Sequence, residues 1–292
     1  MKKKMTKALI VGGDSRLGVA MQQYSLKNNY EWLFTTRRVT GEQSFIFYDL
    51  LKSDPKSLTE IDSIQYYIIL AGITDYRLCE NDPHETQKTN VKAICSLAER
   101  LISRGKKVIF ISTNTVLGEG DRTCEGKYNP LLHYSKQKAE VEKRILLFNE
   151  IRNSVKVIRL TKHVSTDTSP FGQWIKDLRA DKTIRAFTDL YFSPITFMHS
   201  AEFIDKVINL SWEATPSILH LSGAKDLNYY EFALALADRL NKGSSQVHAI
   251  TSEEAGVKLL YRSNVTYLDM RSTSSAVGYK PVSIERVLDN LI

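Results

Sequence analysis

The chain has 292 residues, enough for one large domain or two smaller ones, and its 42% hydrophobic and 25% charged residues exclude an intrinsically disordered protein. The formal net charge of +7 comes from basic residues spread along the chain. Because they form no stripe interleaved with aromatics, we expect no nucleic-acid partner, and anionic small molecules suit the charge equally well.

The three cysteines, Cys79, Cys95 and Cys124, form no Cys-x-x-Cys pair. We therefore expect neither a disulfide framework nor a metal site, and a reducing compartment. The basic start precedes an apolar segment, Ala8 to Val11, that is too short for a secretory signal, and no stretch approaches a membrane span. A cytoplasmic protein without a membrane partner is predicted.

A strand, a glycine turn and a helix follow one another at the start of the chain, as in the first unit of a dinucleotide-binding fold. Lys7–Val11 (KALIV) predicts a buried strand, and GGDSRLG then leads into an amphipathic helix. Backbone N–H groups at such a helix start bind a pyrophosphate where glycines allow close approach. Ser15 stands where a third glycine is usual. The candidate cofactor-binding residues here are Gly12, Asp14, Ser15, Arg16, Leu17 and Gly18; a plain strand–turn–helix connection is the alternative.

The predicted second strand, Glu31–Thr36, ends in Arg37 and Arg38. The end of this strand reaches the adenosine ribose in a dinucleotide fold, where a carboxylate favours NAD and an arginine favours the 2′-phosphate of NADP. No carboxylate occurs here, so the sequence predicts NADP, with NAD still allowed. A solvated basic turn is the alternative.

Two further strands and a long helix continue the alternation. The strand Gln43–Tyr48 is followed by Asp49 and Leu50, and the strand Ser63–Ala71 ends in Ala71 and Gly72, where small residues let a flat ligand lie across the sheet edge. These four residues are also candidates for cofactor binding. An amphipathic helix is predicted over Pro83–Ser103. The pattern predicts an α/β fold with a doubly wound parallel sheet, that is, a Rossmann fold.

The central stretch combines a strand with three polar side chains. Val108–Ser112 reads as a buried parallel strand that leads into Thr113, and Tyr134 and Lys138 share one face of the following helix. The Tyr-x-x-x-Lys spacing alone is weak evidence, because it also occurs at Tyr48 and Lys52. A hydroxyl at a strand end beside a Tyr–Lys pair nevertheless favours proton transfer, against a surface pair on a solvated helix.

Beyond a sixth strand, Ser154–Leu160, the regular alternation is lost. We predict helices over Gly172–Ala180, Ala201–Trp212 and Tyr229–Asn241, a strand over Ile218–Ser222, an edge segment over Tyr191–Thr196, and an irregular tail from Val265. The predicted domains are a dinucleotide-binding domain, residues 1–165, and a smaller α/β substrate domain, residues 166–292. Part of residues 193–222 is expected to return to the first domain.

Several segments share their order and spacing with one protein family: GGDSRLG, SIQYYIILAG, LCENDPHETQKTNVKA, ISTNTVLGEG, YSKQK, SPITFMHSAEFI and ILHLSGAKDLNYYEFA. With them the chain resembles an extended short-chain dehydrogenase/reductase, in particular the dTDP-4-dehydrorhamnose reductase branch of the sugar-nucleotide reductases. The resemblance covers nearly the whole chain. It implies a Rossmann domain that binds NAD(P) and a C-terminal domain that binds a nucleotide sugar.

The resemblance also implies roles for single residues. By position, Thr113 matches the catalytic hydroxyl, Tyr134 the proton donor and Lys138 the supporting lysine, which also binds the nicotinamide ribose. Asn90 matches a structural asparagine. The chain departs from the family at three places: Ser15 replaces a glycine, Asn114-Thr115 replaces a frequent Asp-Tyr, and His163 replaces an aromatic.

The implied mechanism is chemically consistent, because hydride reduction of a ketone leaves an alkoxide that needs a proton. A tyrosine with its ordinary pKa near 10 is a poor donor, and we expect Lys138 to lower that pKa. Arg179, Lys182 and Arg185 are candidates to meet a diphosphate, or they form an exposed basic face. The sequence leaves the sugar, the nucleotide and a homodimer open.

Three other functions belong to proteins with the same kind of fold. A dehydratase is disfavoured, because Asn114 and Thr115 offer no carboxylate pair after Thr113. A nucleotide-sugar epimerase uses the same Thr/Tyr/Lys set and stays open. So does a non-catalytic NADP-binding subunit with a regulatory or scaffolding role, because Ser15 interrupts the glycine turn.

Overall fold

The computed structural model of the protein describes residues 7–38, 44–124 and 126–292. Thirteen strands occur in these ranges. They are β1 (Ala8–Val11), β2 (Leu33–Thr36), β3 (Phe45–Phe47), β4 (Tyr66–Ile69), β5 (Lys107–Thr113), β6 (Val155–Leu160), β7 (Lys162–His163), β8 (Ile184–Phe187), β9 (Tyr191–Phe192), β10 (Pro194–Ile195), β11 (Ile218–Leu221), β12 (Leu227–Asn228) and β13 (Val247–Ile250).

Eleven α-helices accompany the strands in the same ranges. They are α1 (Arg16–Lys27), α2 (Lys56–Thr59), α3 (Tyr76–Asn81), α4 (Pro83–Gln87), α5 (Ile94–Ser103), α6 (His133–Arg152), α7 (Phe171–Arg179), α8 (Phe197–Ile208), α9 (Tyr229–Arg239), α10 (Arg271–Val277) and α11 (Ile284–Asp289). A π-helical turn, Lys88–Ala93, joins α4 to α5, and a 3₁₀ turn, Asn114–Leu117, follows β5. A second 3₁₀ turn, Ser244–Gln246, precedes β13.

Seven strands form the central sheet in the order β11–β6–β5–β4–β1–β2–β3, with every neighbouring pair parallel. The order reverses between β1 and β4, which is where a doubly wound sheet opens a crevice at its carboxyl edge. All residues of β1, β4 and β6 are buried, as expected for strands covered on both faces, and in β6 these include Lys156 and Arg159. The predicted Rossmann fold is confirmed.

Two hydrophobic clusters cover the two faces of this sheet. One combines Leu9, Tyr67 and Phe110 with apolar residues of α5 and α6. The other begins at Ile10 and Ile109, on the opposite face, and runs through α8 into the C-terminal lobe. Alternate residues of each strand therefore belong to different clusters, which is the period-2 alternation of a strand.

The C-terminal lobe is built around a parallel pair, β8 with β13, against which α9 packs. Two short pairings, β7 with β10 and β9 with β12, line its border with the sheet. The strand β11 lies beside β6 at the edge of the central sheet. The predicted boundary at residues 165 and 166 stays a prediction.

Three sequence-based elements need correction. The single helix predicted over Pro83–Ser103 is divided, because residues 88–93 form a π-helical turn between α4 and α5. The tail after Val265 is not irregular throughout, since it contains α10 and α11. Finally, α8 begins at Phe197, before the predicted start, because Thr196 and His199 form a capping box.

Candidate active site

The three predicted catalytic side chains line one cavity of about 880 Å³ at the carboxyl edge of the sheet. Thr113 is the last residue of β5, and Tyr134 and Lys138 lie one turn apart near the start of α6. Their exposed fractions are 8%, 7% and 4% respectively, so all three are nearly buried. Residues 15–17, from the glycine turn, line the same cavity.

Lys138 is held by contacts on β5 as well as by its own helix. Its Nζ donates a hydrogen bond of 2.8 Å to the carbonyl of Ile111 and lies 4.5 Å from the ring centre of Phe110. The same nitrogen lies 6.0 Å from the ring centre of Tyr134. Burial lowers the pKa of Lys138 to about 8, while the charge of Glu142 opposes that shift. The lysine is therefore still largely a cation at neutral pH.

The phenol of Tyr134 differs from the sequence-based expectation. Its pKa is raised, first by burial and then by the neighbouring Tyr76 and Cys79, whereas we expected Lys138 to lower it. The expectation was wrong in direction because desolvation of the phenolate, which the sequence does not display, is the largest effect. Tyr134 is thus a neutral phenol at neutral pH, which is the protonated form that a proton donor needs.

Hydroxyl groups cluster around Thr113. Its Oγ1 lies 3.1 Å from Oγ1 of Thr115, which accepts a hydrogen bond of 2.7 Å from Ser135. Thr113 also lies 3.3 Å from the amide oxygen of Asn114, and the Asn114 amide nitrogen donates to the carbonyl of Thr266, at 2.7 Å. The Asn114 amide is thereby held with its oxygen toward Thr113.

A buried ion pair lies behind this wall of the cavity. Arg159, on β6, donates from Nη2 to the carboxylate of Glu142, on α6, across 2.8 Å. The carboxylate also accepts from the hydroxyls of Ser112 and Tyr128. His220, on β11, lies 3.5 Å from Arg159, and burial lowers the pKa of this imidazole to about 4. The network links the helix that carries Lys138 to three strands.

The glycine turn shows why it needs glycine at two positions. Gly12 has φ +95°, and a Cβ there would lie 2.8 Å from the backbone nitrogen of Ala71. A Cβ on Gly18 would lie 2.4 Å from the carbonyl oxygen of Gly13. Ser15 is the N-cap of α1, where its hydroxyl accepts from the N–H of Gly18 at 3.1 Å. Serine at this position therefore begins the helix, which accounts for the missing glycine.

The remaining predicted cofactor residues lie along the same edge of the sheet. Arg37 and Arg38 follow β2 and are exposed, and Asp14 is exposed within the glycine turn. Asp49 and Leu50 follow β3 and are half-buried, and the Asp49 carboxylate accepts from a backbone N–H two residues on. Their roles in cofactor binding stay predictions.

The Asn90 side chain binds the backbone just after β4, where Ala71 and Gly72 were predicted to admit a flat ligand. Gly72 has φ +152°, and a Cβ there would lie 3.2 Å from Oδ1 of Asn90. The Asn90 side chain accepts from the N–H of Ile73 and donates to its carbonyl, at 2.7 and 2.9 Å, and it also donates to Gln137 on α6. The π-helical turn places Asn90 in this position, which agrees with the structural role that the resemblance implied.

Several cavity-lining residues carried no signal in the sequence. They are Thr74, Tyr76, Thr115, Lys162, Ser169, Tyr191, Tyr229, Tyr261, Arg262, Ser263 and Thr266. Thr74 and Thr115 each lie two positions after a predicted site residue, Gly72 and Thr113, and only chain order would have suggested them. The others come from elements and loops farther from the predicted site residues in the sequence.

His163 lines the cavity as a neutral side chain. Its ring stacks on Phe197 with centres 4.2 Å apart, and its Nε2 lies 2.7 Å from the hydroxyl of Ser200. Burial, the largest cause, lowers the pKa of His163 to about 3. The His163 imidazole therefore contributes an uncharged, planar surface to the lining of the cavity.

The basic candidates of the C-terminal lobe lie elsewhere. Arg179, Lys182 and Arg185 are exposed, and none of them is among the described residues that line the main cavity. Arg185 instead lines a second cavity of about 510 Å³, which shares Ser169 with the first. The two cavities are therefore neighbours that meet at Ser169.

A family model described as "RmlD substrate binding domain" matches residues 6–292. The chain belongs to this family. The match confirms the resemblance drawn from the sequence, and it agrees with the prediction of an NAD(P)-dependent oxidoreductase of the short-chain dehydrogenase/reductase type. No curated protein sequence matches the chain.

Solved structures share the fold at low sequence identity. The dTDP-4-dehydrorhamnose reductase from Yersinia enterocolitica is 21% identical, with a TM-score of 0.79 over 98% of this chain and all of its own. The structure of RMD from Pseudomonas aeruginosa complexed with NADPH is 17% identical, with a TM-score of 0.76 over 99% of this chain and 96% of its own. The structure of a UDP-glucose 4-epimerase from Thermotoga maritima with UDP-glucose is 16% identical, with a TM-score of 0.76 over 97% of this chain and 96% of its own.

The described residues contain neither a candidate membrane span nor a candidate metal cluster. No helix within them is both long and apolar enough to cross a membrane. Across the same ranges, no three or more His, Cys, Asp or Glu side chains are grouped so as to hold a metal ion.

Proposed function

We propose that the protein is an NADPH-dependent reductase of a 4-keto nucleotide-activated sugar, with Tyr134 as the proton donor. The observation that carries the proposal is the meeting of Thr113, Tyr134 and Lys138 in one cavity with residues 15–17 of the glycine turn. A hydrogen-bonding hydroxyl, a neutral phenol and a buried cation are the groups that reduction of a carbonyl needs beside a hydride donor.

The residues present fit a dinucleotide. Side chains at Gly12 and Gly18 would fill the turn that must approach the pyrophosphate, and α1 begins there with its N-terminal N–H groups. The nicotinamide cofactor supplies the hydride when bound. We assign the ribose hydroxyls to Lys138 and the 2′-phosphate to Arg37 and Arg38.

Each catalytic side chain has a separate task in this proposal. Thr113 donates a hydrogen bond to the ketone oxygen and fixes its direction. Tyr134, which burial keeps protonated, gives its proton to that oxygen as the alkoxide develops. The cation of Lys138 then stabilises the phenolate left behind. Because a raised pKa makes the phenol a weaker acid, the proton transfer depends on this stabilisation of the phenolate by Lys138.

The shape of the lining supports a long substrate. The main cavity and the second cavity share Ser169, and the second is lined by Trp174, Phe187 and Arg185 as well as by further polar and apolar residues, among them the carboxylate of Asp177. Aromatic faces and a cation suit a base and phosphates, whereas the carbonyl chemistry lies in the main cavity. A nucleotide-activated sugar combines these parts in one molecule.

The alternatives fit less well. An epimerase must take a proton from the sugar hydroxyl as well as return one, and the raised pKa of Tyr134 opposes the first step. The case for a non-catalytic NADP-binding subunit rested on Ser15, whose hydroxyl here caps α1 instead of interrupting it. A homodimer and a cytoplasmic location remain expectations from the sequence.

The proposal is tested by offering a panel of 4-keto sugar nucleotides with NADPH or NADH and following oxidation of the nicotinamide. We expect turnover with one of the ketones and loss of that turnover in Tyr134→Phe. A parent protein that binds NADPH but oxidises it with no ketone would contradict the reductase assignment. Interconversion of C4 epimers with bound cofactor, followed by NMR, would indicate the epimerase.

A further inference from the structure

The hydrogen-bond positions on the Thr113 hydroxyl are nearly all assigned. A hydroxyl has one proton to donate and two lone pairs that accept. The backbone N–H of Thr115 donates to Thr113 Oγ1 at 3.3 Å, and the Thr115 hydroxyl lies 3.1 Å from the same oxygen. If Thr115 donates its proton there, both lone pairs of Thr113 are occupied, and its own proton must point away from Thr115.

The partners of Thr115 favour that direction. Ser135 is fully buried on α6 and donates to Thr115 Oγ1 across 2.7 Å. With the Ser135 proton directed at Thr115, the proton of Thr115 is left to donate to the other hydroxyl within hydrogen-bond distance, that of Thr113.

The opposite direction is less well satisfied. The Asn114 amide oxygen, which can only accept, lies 3.3 Å from Thr113 Oγ1, because the Asn114 amide nitrogen donates to the carbonyl of Thr266. If Thr113 donated to Thr115 instead, this oxygen would receive no proton from Thr113, and Thr115 would accept from both Thr113 and Ser135. The proton of Thr115 could then go to neither of these two hydroxyls, which makes this arrangement the poorer one.

We infer that Thr115 is a positioning residue, which receives a hydrogen bond from Ser135 and turns the single proton of Thr113 toward the substrate. Without substrate the proton has only Asn114 Oδ1, at 3.3 Å, a long contact that a ketone oxygen can replace. Aligned hydroxyl dipoles strengthen one another, so Thr113 becomes a better donor. The kinetic consequence of this inference rests on the proposed reduction, whereas the directions of the hydroxyl protons are independent of it.

The kinetic test compares Thr115→Val with Thr115→Ser. Valine keeps the shape and removes the hydroxyl, so we expect kcat to fall about tenfold, the effect of about 1.4 kcal/mol, with KM nearly unchanged. Serine restores the hydroxyl and should recover most of the rate. Equal melting temperatures of the three proteins would exclude a folding defect. A Thr115→Val enzyme that turns over at the parent rate would overturn the inference.

The structural test does not need activity. Neutron diffraction from crystals of the deuterated parent protein shows where each hydroxyl deuterium lies. We expect the deuterium of Thr115 on the line to Thr113, and that of Thr113 directed away from Thr115. A Thr113 deuterium directed at Thr115 would overturn the inference, even in a protein that reduces 4-keto sugars. If the parent reduces no ketone at all, the proposed function fails and the neutron result alone decides the inference.

Discussion

Arg159 and Glu142 form an ion pair with side-chain exposures of only 1% and 0%, and Glu142 lies one helical turn beyond Lys138. Removing one partner of such a pair leaves a buried charge without compensation. We therefore expect Glu142→Gln to lower the free energy of unfolding by about 3–5 kcal/mol, measured by urea denaturation. The pair Arg239–Asp289 is half-exposed, so Asp289→Asn should cost under about 1 kcal/mol. Equal costs for the two variants would contradict this reading of the network.

Tyr134→Phe should abolish ketone reduction and leave cofactor affinity nearly intact, because it removes only the hydroxyl from a buried ring. The chain offers a matched control in Tyr48, which belongs to the other Tyr-x-x-x-Lys pair and is also buried. Tyr48→Phe should keep the parent rate. Turnover and cofactor binding measured on both variants check the assignment, and near-normal turnover in Tyr134→Phe would remove Tyr134 as the donor.

The pH dependence of kcat/KM should report Lys138. Its pKa is lowered to about 8 by burial, so we expect the rate to fall as the pH rises through about 8 and the cation is lost. Lys138→Met should be slow, should bind cofactor more weakly, and should show no such decline. An unchanged cofactor affinity in this variant would argue against the ribose contact.

The same lysine affects stability with the opposite sign. Its pKa in the folded protein, about 8, lies below the ordinary value of 10.5, so the unfolded chain binds more protons between these two values. The Lys138 contribution to stability therefore rises with pH from about 8 to 10.5 and is unfavourable below that window. Denaturation of parent and Lys138→Met across this range measures the difference.

Ser15 should matter more for the helix than for the cofactor. Because its hydroxyl caps α1, Ser15→Ala should destabilise the protein by about 1 kcal/mol, and Ser15→Gly by only a few tenths. Ser15→Gly should bind cofactor at least as well as the parent, since a Cβ leaves a crowded turn. A large loss of cofactor affinity in the glycine variant would mean that the hydroxyl itself binds phosphate.

The preference between the two cofactors should depend on Arg37 and Arg38. Charge-assisted hydrogen bonds to a 2′-phosphate at an exposed site favour NADPH by about tenfold once solvent screening is included. Replacing both arginines with alanine should weaken NADPH binding and leave NADH binding little changed. The exposed pair Arg179 and Lys182, replaced in the same way, is the control and should alter neither. Equal losses for both cofactors would make the arginines only a basic turn.

The central sheet was readable from the sequence because buried parallel strands are nearly continuous apolar runs. β1, β4 and β5 stand out in this way, and Gly12 and Gly18 mark the first turn. The π-helical turn was not readable, because the residues that Asn90 contacts from it, Ile73 and Gln137, come from other parts of the chain.

The chemical properties of the site residues were harder to predict from the sequence than the identity of those residues. Thr113, Tyr134 and Lys138 were found from order and spacing, but the pKa of Tyr134 was assigned the wrong direction. Its burial depends on Tyr76 and on loops far along the chain, and no local pattern displays that. For the same reason the hydroxyl contacts of Thr115 appear only once the chain is folded.

The position of β11 has a consequence for dividing the protein. β11 pairs with β6 along Val157–Leu160, although some sixty residues separate the two strands in the sequence. A fragment cut near residue 165 would leave β6 as a bare edge strand, whose unpaired backbone groups and apolar side chains invite pairing between molecules. Exchanging the C-terminal lobe between relatives would therefore require β11 to stay with the N-terminal part, so the C-terminal half is not a module that can simply be cut off.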